Sequence, residues 1–326
     1  MSATAAAATT SIAVDIATIR AAHARIAAYI QRTPVLSSRS LDQVTGATLF
    51  FKCENLQKVA AFKARGACNA VLSLTDVEAA RGVVTHSSGN HGAALAWAAT
   101  RRGIPAWIVM PSNAASVKLE AVRGFGGTVR LSEPTLPARE AACVEVLAQT
   151  GATLVHPYND WRVIAGQGTA ALELLAEIPQ LDVMIAPVGG GGLLSGTVIA
   201  AKGTSSTIKV YGAEPAGADD AAQSLRAGHI VPQTNPRTIA DGLRSSLGDK
   251  TFAVLSSMID GIGTASEDAI VRAMRLTWEK LKVVIEPSAA VPLAALLEGK
   301  LPVAGLRVGV ILSGGNVDLD RLPWQK

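Results

Sequence analysis

The stretch "VMIAPVGGGGLLSGTVIAA" (Val183–Ala201) runs 19 residues without a charged side chain. Its length alone would let it cross a bilayer. Pro187 and four consecutive glycines, Gly189 to Gly192, interrupt it near the middle and would break a spanning helix. A buried strand, a glycine turn and a helix account for it better. That reading makes it one unit of an α/β fold.

The same alternation extends outward over Ala47–Val210. "TLFFKCE" near Thr48 predicts a strand and Arg65–Leu74 a helix, then "GVVTHS" a strand and Asn90–Arg102 an Ala-rich helix. "PAWIVM" precedes a helix over Ala115–Val122, "GTVRLS" one over Pro137–Gln149, and "ATLVHP" one over Gly168–Glu177. "DVMIAPV" leads through the glycines into a further helix, and "IKVYGAE" follows as a strand. Strand–helix alternation implies parallel sheets with helices on both faces and ligands at the carboxyl ends of the strands. Gly82–Pro157 holds four such units, which predicts a small domain over 82–157 and a discontinuous large domain over 1–81 and 158–326.

Bulk properties exclude other classes. The chain has 326 residues, 49% hydrophobic and 17% charged, which favours a globular fold over a disordered one. A net charge of +4, scattered along the chain, argues against nucleic acid and membrane surfaces as partners. Cys53, Cys68 and Cys143 are odd in number and lack Cys-x-x-Cys spacing. They suit a reducing, cytoplasmic setting and neither a disulfide scaffold nor a zinc cluster. "MSATAAAATTSIAVD" has no positive n-region and no long apolar core, so it is read as a floppy tail and not a secretory signal.

Three loops and one lysine carry chemistry. In "PVGGGGLLSG" (Pro187–Gly196) glycines between a strand and a helix let backbone N–H groups approach an anion, and the helix terminus adds positive potential. The spacing is that of neither a Gly-x-x-x-x-Gly-Lys loop nor a Gly-x-Gly-x-x-Gly loop. "HSSGNHG" (His86–Gly92) offers Ser87, Ser88, Asn90 and His91, as helix caps or as a binding loop. "VGVILSGGN" ends a strand at Ser313, whose hydroxyl either caps a turn or meets a ring nitrogen. In "VAAFKARG", Lys63 follows an apolar run that would disfavour its charged form. An anion grip, a polar loop, a hydroxyl and a neutral amine are together what a pyridoxal phosphate site requires.

"AFKARGA", "SSGNHG", "GGGGLLSG" and "SGGN", in this order, resemble the fold-type II pyridoxal phosphate enzymes of the serine/threonine dehydratase group. The similarity runs from about Ile19 to Leu319. "AEPAGADDAAQS" (Ala213–Ser224) and "TIADGLRSSLG" (Thr238–Gly248) narrow it to the branch that racemises serine. The resemblance implies two parallel-sheet, three-layer domains with the cofactor between them, a homodimer, and racemisation of serine together with its deamination to pyruvate and ammonia. A dehydratase of threonine or threo-3-hydroxyaspartate with little racemisation is the alternative.

By position, the resemblance implies that Lys63 carries the cofactor and Gly189, Gly190, Gly191 and Gly192 hold its phosphate. Asn90 would bond the ring hydroxyl, Ser313 would face the pyridine nitrogen, and Phe62 would back the ring. Ser88 would stand opposite Lys63, each serving one face of the substrate, while Ser87, Arg139 and Ser245 approach the substrate carboxylate. Glu214, the Ala218 carbonyl and Asp220 would hold Mg2+, Ca2+ or Mn2+, hard cations suited to oxygen donors. On spacing alone, "ADD" could equally cap a helix. Two departures stand out. Ala60 and Ala61 replace the Gly-Ser or Gly-Ala usual in relatives, which predicts a tighter pocket. Ala93 replaces the glutamine used by relatives that bind ATP, which argues against nucleotide activation although Lys58, Lys282 and Asn316 resemble other contacts.

Overall fold

The structure, a computed structural model, describes residues 10–87, 89–114 and 116–325. Most of the predicted N-terminal tail, residues 1–9, and Ser88 lie outside the described residues. In chain order the strands are β1 (Val35–Leu36), β2 (Thr48–Cys53), β3 (Val83–His86), β4 (Ala106–Pro111), β5 (Thr128–Ser132), β6 (Thr153–Leu154), β7 (Val183–Pro187), β8 (Lys209–Pro215), β9 (Gly261–Ala265) and β10 (Arg307–Leu312). They form a six-stranded sheet, β1-β2-β10-β7-β8-β9, and a four-stranded sheet, β5-β4-β3-β6.

The neighbouring strands pair in parallel with one exception: β1 runs antiparallel to β2, with Val35 opposite Lys52 and Leu36 opposite Phe51. The sheets are parallel as expected, with one short antiparallel edge strand added. A two-residue strand has no period to read, and an antiparallel edge on a parallel sheet is common. β7 is buried at every residue, with Val183 and Ile185 in one apolar cluster and Met184 and Ala186 in the other. That two-sided burial is why the opening stretch reads as one continuous apolar run.

A third cluster joins the small sheet to helices Lys63–Leu72 and Asn90–Arg102 through Ala64, Ala67, Val71, Ala94, Ile108 and Met110. Helix Lys63–Leu72 packs against helix Asn90–Arg102. It also lies against helix Trp161–Glu177, which starts seven residues before the predicted Gly168. Gly166 and Gly168 obscured that start. A Cβ on Gly166 would come within 2.6 Å of Gly66 Cα, and one on Gly168 within 2.8 Å of Gly196 O, so close helix packing requires both. Among the described residues, no helix is long and apolar enough to cross a membrane.

Candidate active site

The chain segments leaving β3, β7 and β10 meet the start of helix Lys63–Leu72 around a cavity of about 420 Å³. Its walls include Phe62, Lys63, Ser87, Asn90, Ser313 and the three glycines Gly190 to Gly192. The location, at the carboxyl ends of parallel strands, is where such folds bind ligands.

Lys63 is the first residue of its helix, and its Nζ donates to Pro157 O at 2.7 Å. Its residual exposure is to the cavity. Burial lowers its pKa to about 8, against an opposing pull from Glu286, so the amine is far more readily deprotonated than an ordinary lysine. The turn before it is fixed by the loop after β10. Phe62 N donates to Ser313 O (3.0 Å), Gly315 N to Ala60 O (2.9 Å), and Asn316 Nδ2 to Val59 O (2.8 Å). Val59 and Ala60 are held at φ +54° and +51°, a left-handed conformation costly for residues with a Cβ, most of all a β-branched one. Neither Ala60 nor Ala61 is among the residues lining the cavity. The departure at Ala60 thus strains the backbone, and the expectation of a tighter pocket is not met.

Of the four glycines, Gly190, Gly191 and Gly192 line the cavity, as does Leu193. Gly189 does not, and a Cβ there would meet Gly242 O and Leu243. Gly191 has φ +86°, which a side chain would strain, and it caps the 13-residue helix Gly192–Thr204. A Cβ on Gly190 would come within 2.3 Å of the Tyr158 ring, so this glycine is fixed by an aromatic neighbour the motif does not reveal. Backbone at a helix N-terminus, bare of side chains and facing a cavity, fits a phosphate.

Asn90 donates to both oxygens of the buried Glu286 (3.0 and 3.1 Å) and accepts from Asn316 Nδ2 (2.9 Å). Burial pushes Glu286 up to about 7, against the Asn90 hydrogen bond. Ser313 is buried at the cavity wall. An amine, an amide, a hydroxyl and a phosphate-sized backbone cradle around one cavity fit pyridoxal phosphate.

Ser87, Arg139 and Ser245 also line the cavity. Burial raises the Tyr158 phenol, opposed by its hydrogen bond with the Ser245 side chain. Besides Lys63, three cationic side chains reach the walls. Lys118 is paired with Asp241 at 2.8 Å and Arg244 is bonded to Thr238 O, whereas no carboxylate pairs with Arg139 among the described residues. Ser88 lies outside the described residues.

Glu214, Ala218 and Asp220 sit apart from the cavity lining, at the end of β8. Glu214 accepts from Ala221 N (3.2 Å) and Ala222 N (2.9 Å), while Asp220 Oδ1 accepts from Gln233 Nε2 (3.4 Å). Asp220 Oδ2 is buried without a partner. Burial raises Glu214 to about 8 and Asp220 to about 6, and no lysine or arginine pairs with either among the described residues. Also among them, no group of three or more His, Cys, Asp or Glu side chains is placed to hold a metal. A cation here would rest on two carboxylates and the Ala218 carbonyl, and an orphaned buried oxygen beside a second carboxylate fits a hard ion.

Reading the motifs missed Pro157, Tyr158 and Glu286. "HPYND" follows a strand, as the three motif loops do, and Glu286 precedes Pro287 at a helix start. Either could have been found by that signal.

Residues 26–314 match the family model described as "Pyridoxal-phosphate dependent enzyme". The serine racemase of Arabidopsis thaliana is 53% identical over 315 residues, 95% of each chain. The β-hydroxyaspartate dehydratase of Paracoccus denitrificans is 51% identical over 304 residues, 93% of this chain and 96% of that one. The solved structure of maize serine racemase superposes with a TM-score of 0.93 at 50% identity, covering 94% of this chain and 95% of that one.

Proposed function

The chain belongs to the pyridoxal-phosphate dependent enzymes, and on that premise we propose that it interconverts L- and D-serine and also deaminates serine to pyruvate and ammonia. The observation that carries the proposal is Lys63: a lysine facing a cavity, its charge disfavoured by burial, beside a bare glycine cradle. When bound, pyridoxal phosphate supplies an electron sink for the pair released at the substrate Cα. Lys63 would hold the group covalently, with Gly190 to Gly192 on its phosphate, Asn90 on the ring hydroxyl, Ser313 at the ring nitrogen and Phe62 behind the ring. Gly189 supports that loop from behind.

In this reading the Lys63 amine takes the Cα proton on one face and Ser88 returns one on the other, inverting the centre. Departure of the β-hydroxyl instead leads to pyruvate and ammonia. Arg139 anchors the substrate carboxylate with Ser87 and Ser245 beside it. Lys118 is already paired with Asp241, and Arg139, which pairs with no carboxylate among the described residues, serves the single carboxylate of a substrate such as serine. The hydroxyaspartate dehydratase at 51% identity supports a second reading, in which a dicarboxylate displaces Asp241 from Lys118. Assaying D-serine and pyruvate from L-serine, and keto acid from threonine and threo-3-hydroxyaspartate, tests both. Pyruvate without D-serine would leave a dehydratase.

Ser88→Ala is expected to abolish D-serine formation and reaction of D-serine while elimination from L-serine stays within a few-fold of the parent. Racemisation at the parent rate would remove the two-face assignment.

We further propose a divalent cation, Mg2+ or alternatively Ca2+ or Mn2+, on Glu214, the Ala218 carbonyl and Asp220. Added at 100 times its Kd, such an ion stabilises by about 2.7 kcal/mol. Thermal melting should show this in the parent and lose it in Asp220→Asn. The domain division at 82–157, a homodimer and a cytoplasmic setting complete the proposal. The small sheet falling within 83–154 supports the first, the family resemblance the second, and three free, buried cysteines the third. Nucleotide activation is left out, as Ala93 is buried within its helix.

A further inference from the structure

The loop after β6 contacts two of the polar side chains at the cavity. Val155 O accepts from His91 Nε2 at 3.2 Å, and two residues on Pro157 O accepts from Lys63 Nζ at 2.7 Å. Between them, the side chain of His156 folds back on its own backbone. Its Nδ1 accepts from Tyr158 N (3.3 Å) and Asn159 N (2.9 Å). One ring nitrogen accepting two N–H groups must carry a lone pair, so the ring is neutral with its proton on Nε2. Burial keeps it so, with neighbouring His86 and Lys63 adding to the effect and its pKa lowered to about 4.

We propose that His156 is a positioning residue for proton transfer at Lys63, bracing through Nδ1 the turn whose Pro157 carbonyl orients the lysine amine. A neutral primary amine has two N–H groups and one lone pair. Giving one N–H to Pro157 O keeps the lone pair off the carbonyl and leaves it, with the second N–H, for the cavity that Lys63 lines. A base is effective only when that lone pair meets the substrate proton, and small misplacements are costly. The Pro157 carbonyl shares its peptide plane with the Tyr158 N–H, so holding that N–H on Nδ1 of His156 fixes the direction of the carbonyl. The inference rests on Lys63 being the cofactor-bearing base proposed above.

The geometry is that of an Asx-turn, in which an Asn side-chain oxygen accepts from the amides two and three residues on. Asparagine is therefore the conservative replacement. His156→Asn and His156→Leu both remove the edge-on ring contacts to His86 (centroids 5.5 Å) and Tyr158 (4.6 Å), and only the first keeps an acceptor. In holoenzyme, His156→Leu is expected to lower kcat for L-serine about tenfold with KM within twofold, and His156→Asn to stay within about threefold of the parent. Should His156→Leu not fold, His156→Ala is the non-accepting variant. Equal losses in the accepting and non-accepting variants, or parent kcat in the non-accepting one, would overturn the brace. Mass mapping of the borohydride-reduced parent separates the two layers. A cofactor on Lys63 leaves the variants to judge the brace, whereas none there removes the reading beneath it and the brace with it.

Discussion

Lys63→Ala is expected to lower turnover of serine by more than about 10⁴-fold, because it removes both the covalent anchor and the base on one face of the substrate. The visible absorbance of bound pyridoxal phosphate should be lost or shifted to that of the free aldehyde. A structural explanation of such a loss is testable, since among the described residues the Lys63 side chain makes one hydrogen bond, to Pro157 O. Removing a buried amine that burial already disfavours should leave the fold nearly as stable, with thermal melting of the cofactor-free proteins agreeing within a few degrees. Equal melting with activity gone places the loss in the chemistry. Activity within about tenfold of the parent would contradict the assignment.

Arg65, two residues further on, carries the second large effect, and there it is on stability. Its guanidinium is fully buried and forks to Glu54 (Nε 2.6 Å, Nη2 2.8 Å) and to Glu173 (Nη1 and Nη2, both 2.8 Å). Lys52, also fully buried, donates to Glu173 at 2.7 Å and to Thr33 O at 2.7 Å. Two cations thus balance two carboxylates beneath the helix that begins at Lys63. Arg65→Met leaves a net negative charge in the interior, and breaking a buried pair in this way costs about 3–5 kcal/mol. That is a large fraction of a typical stability of about 5–15 kcal/mol. Arg65→Lys should recover little, since a point charge cannot fork to both acids.

The same network makes an acid prediction. Burial alone would push Glu173 up, but hydrogen bonds from His23 and Arg65 with the charges of Arg65 and Lys52 outweigh it and hold the carboxyl well below its usual range. A depressed carboxylate contributes stability above its unfolded pKa and loses it as pH falls. Urea unfolding should therefore show the parent losing stability from about pH 4.5 downward, with a smaller loss in Arg65→Met. A difference under about 1 kcal/mol at pH 7 would refute the role given to Arg65.

Much of this architecture is legible in the residues. β7 reads correctly because a short apolar run bounded by proline and glycine fits little else. Helix Asn90–Arg102 matches its expected bounds, framed by Gly89 and by Gly103 in the left-handed conformation. β1 is too short to carry a pattern, β9 ("GIGTA") is too glycine-rich to read as a strand, and the helix Ile16–Ile26, which starts directly after the expected tail, is absent from the sequence reading. Lys63, Asn90, Ser313 and three of the four glycines do line one cavity, and each lies in a motif of its own beside a strand end or a helix start. What was missed is non-local. Lys63 meets Pro157 across 94 residues and Asn90 meets Glu286 across 196; a strand end or helix start marks Pro157 and Glu286 as candidates, but the pattern does not say which residue each one meets. Gly189 is the one glycine of the four that does not line the cavity, and a Cβ there would meet Gly242 O.

The central claim is that the amine of Lys63 bears the cofactor. Borohydride reduction of the purified holoenzyme, followed by digestion and mass spectrometry, should find a phosphopyridoxyl group on the peptide containing Lys63 and on no other. An unmodified Lys63 in reduced protein, or the adduct on a different lysine, would contradict it.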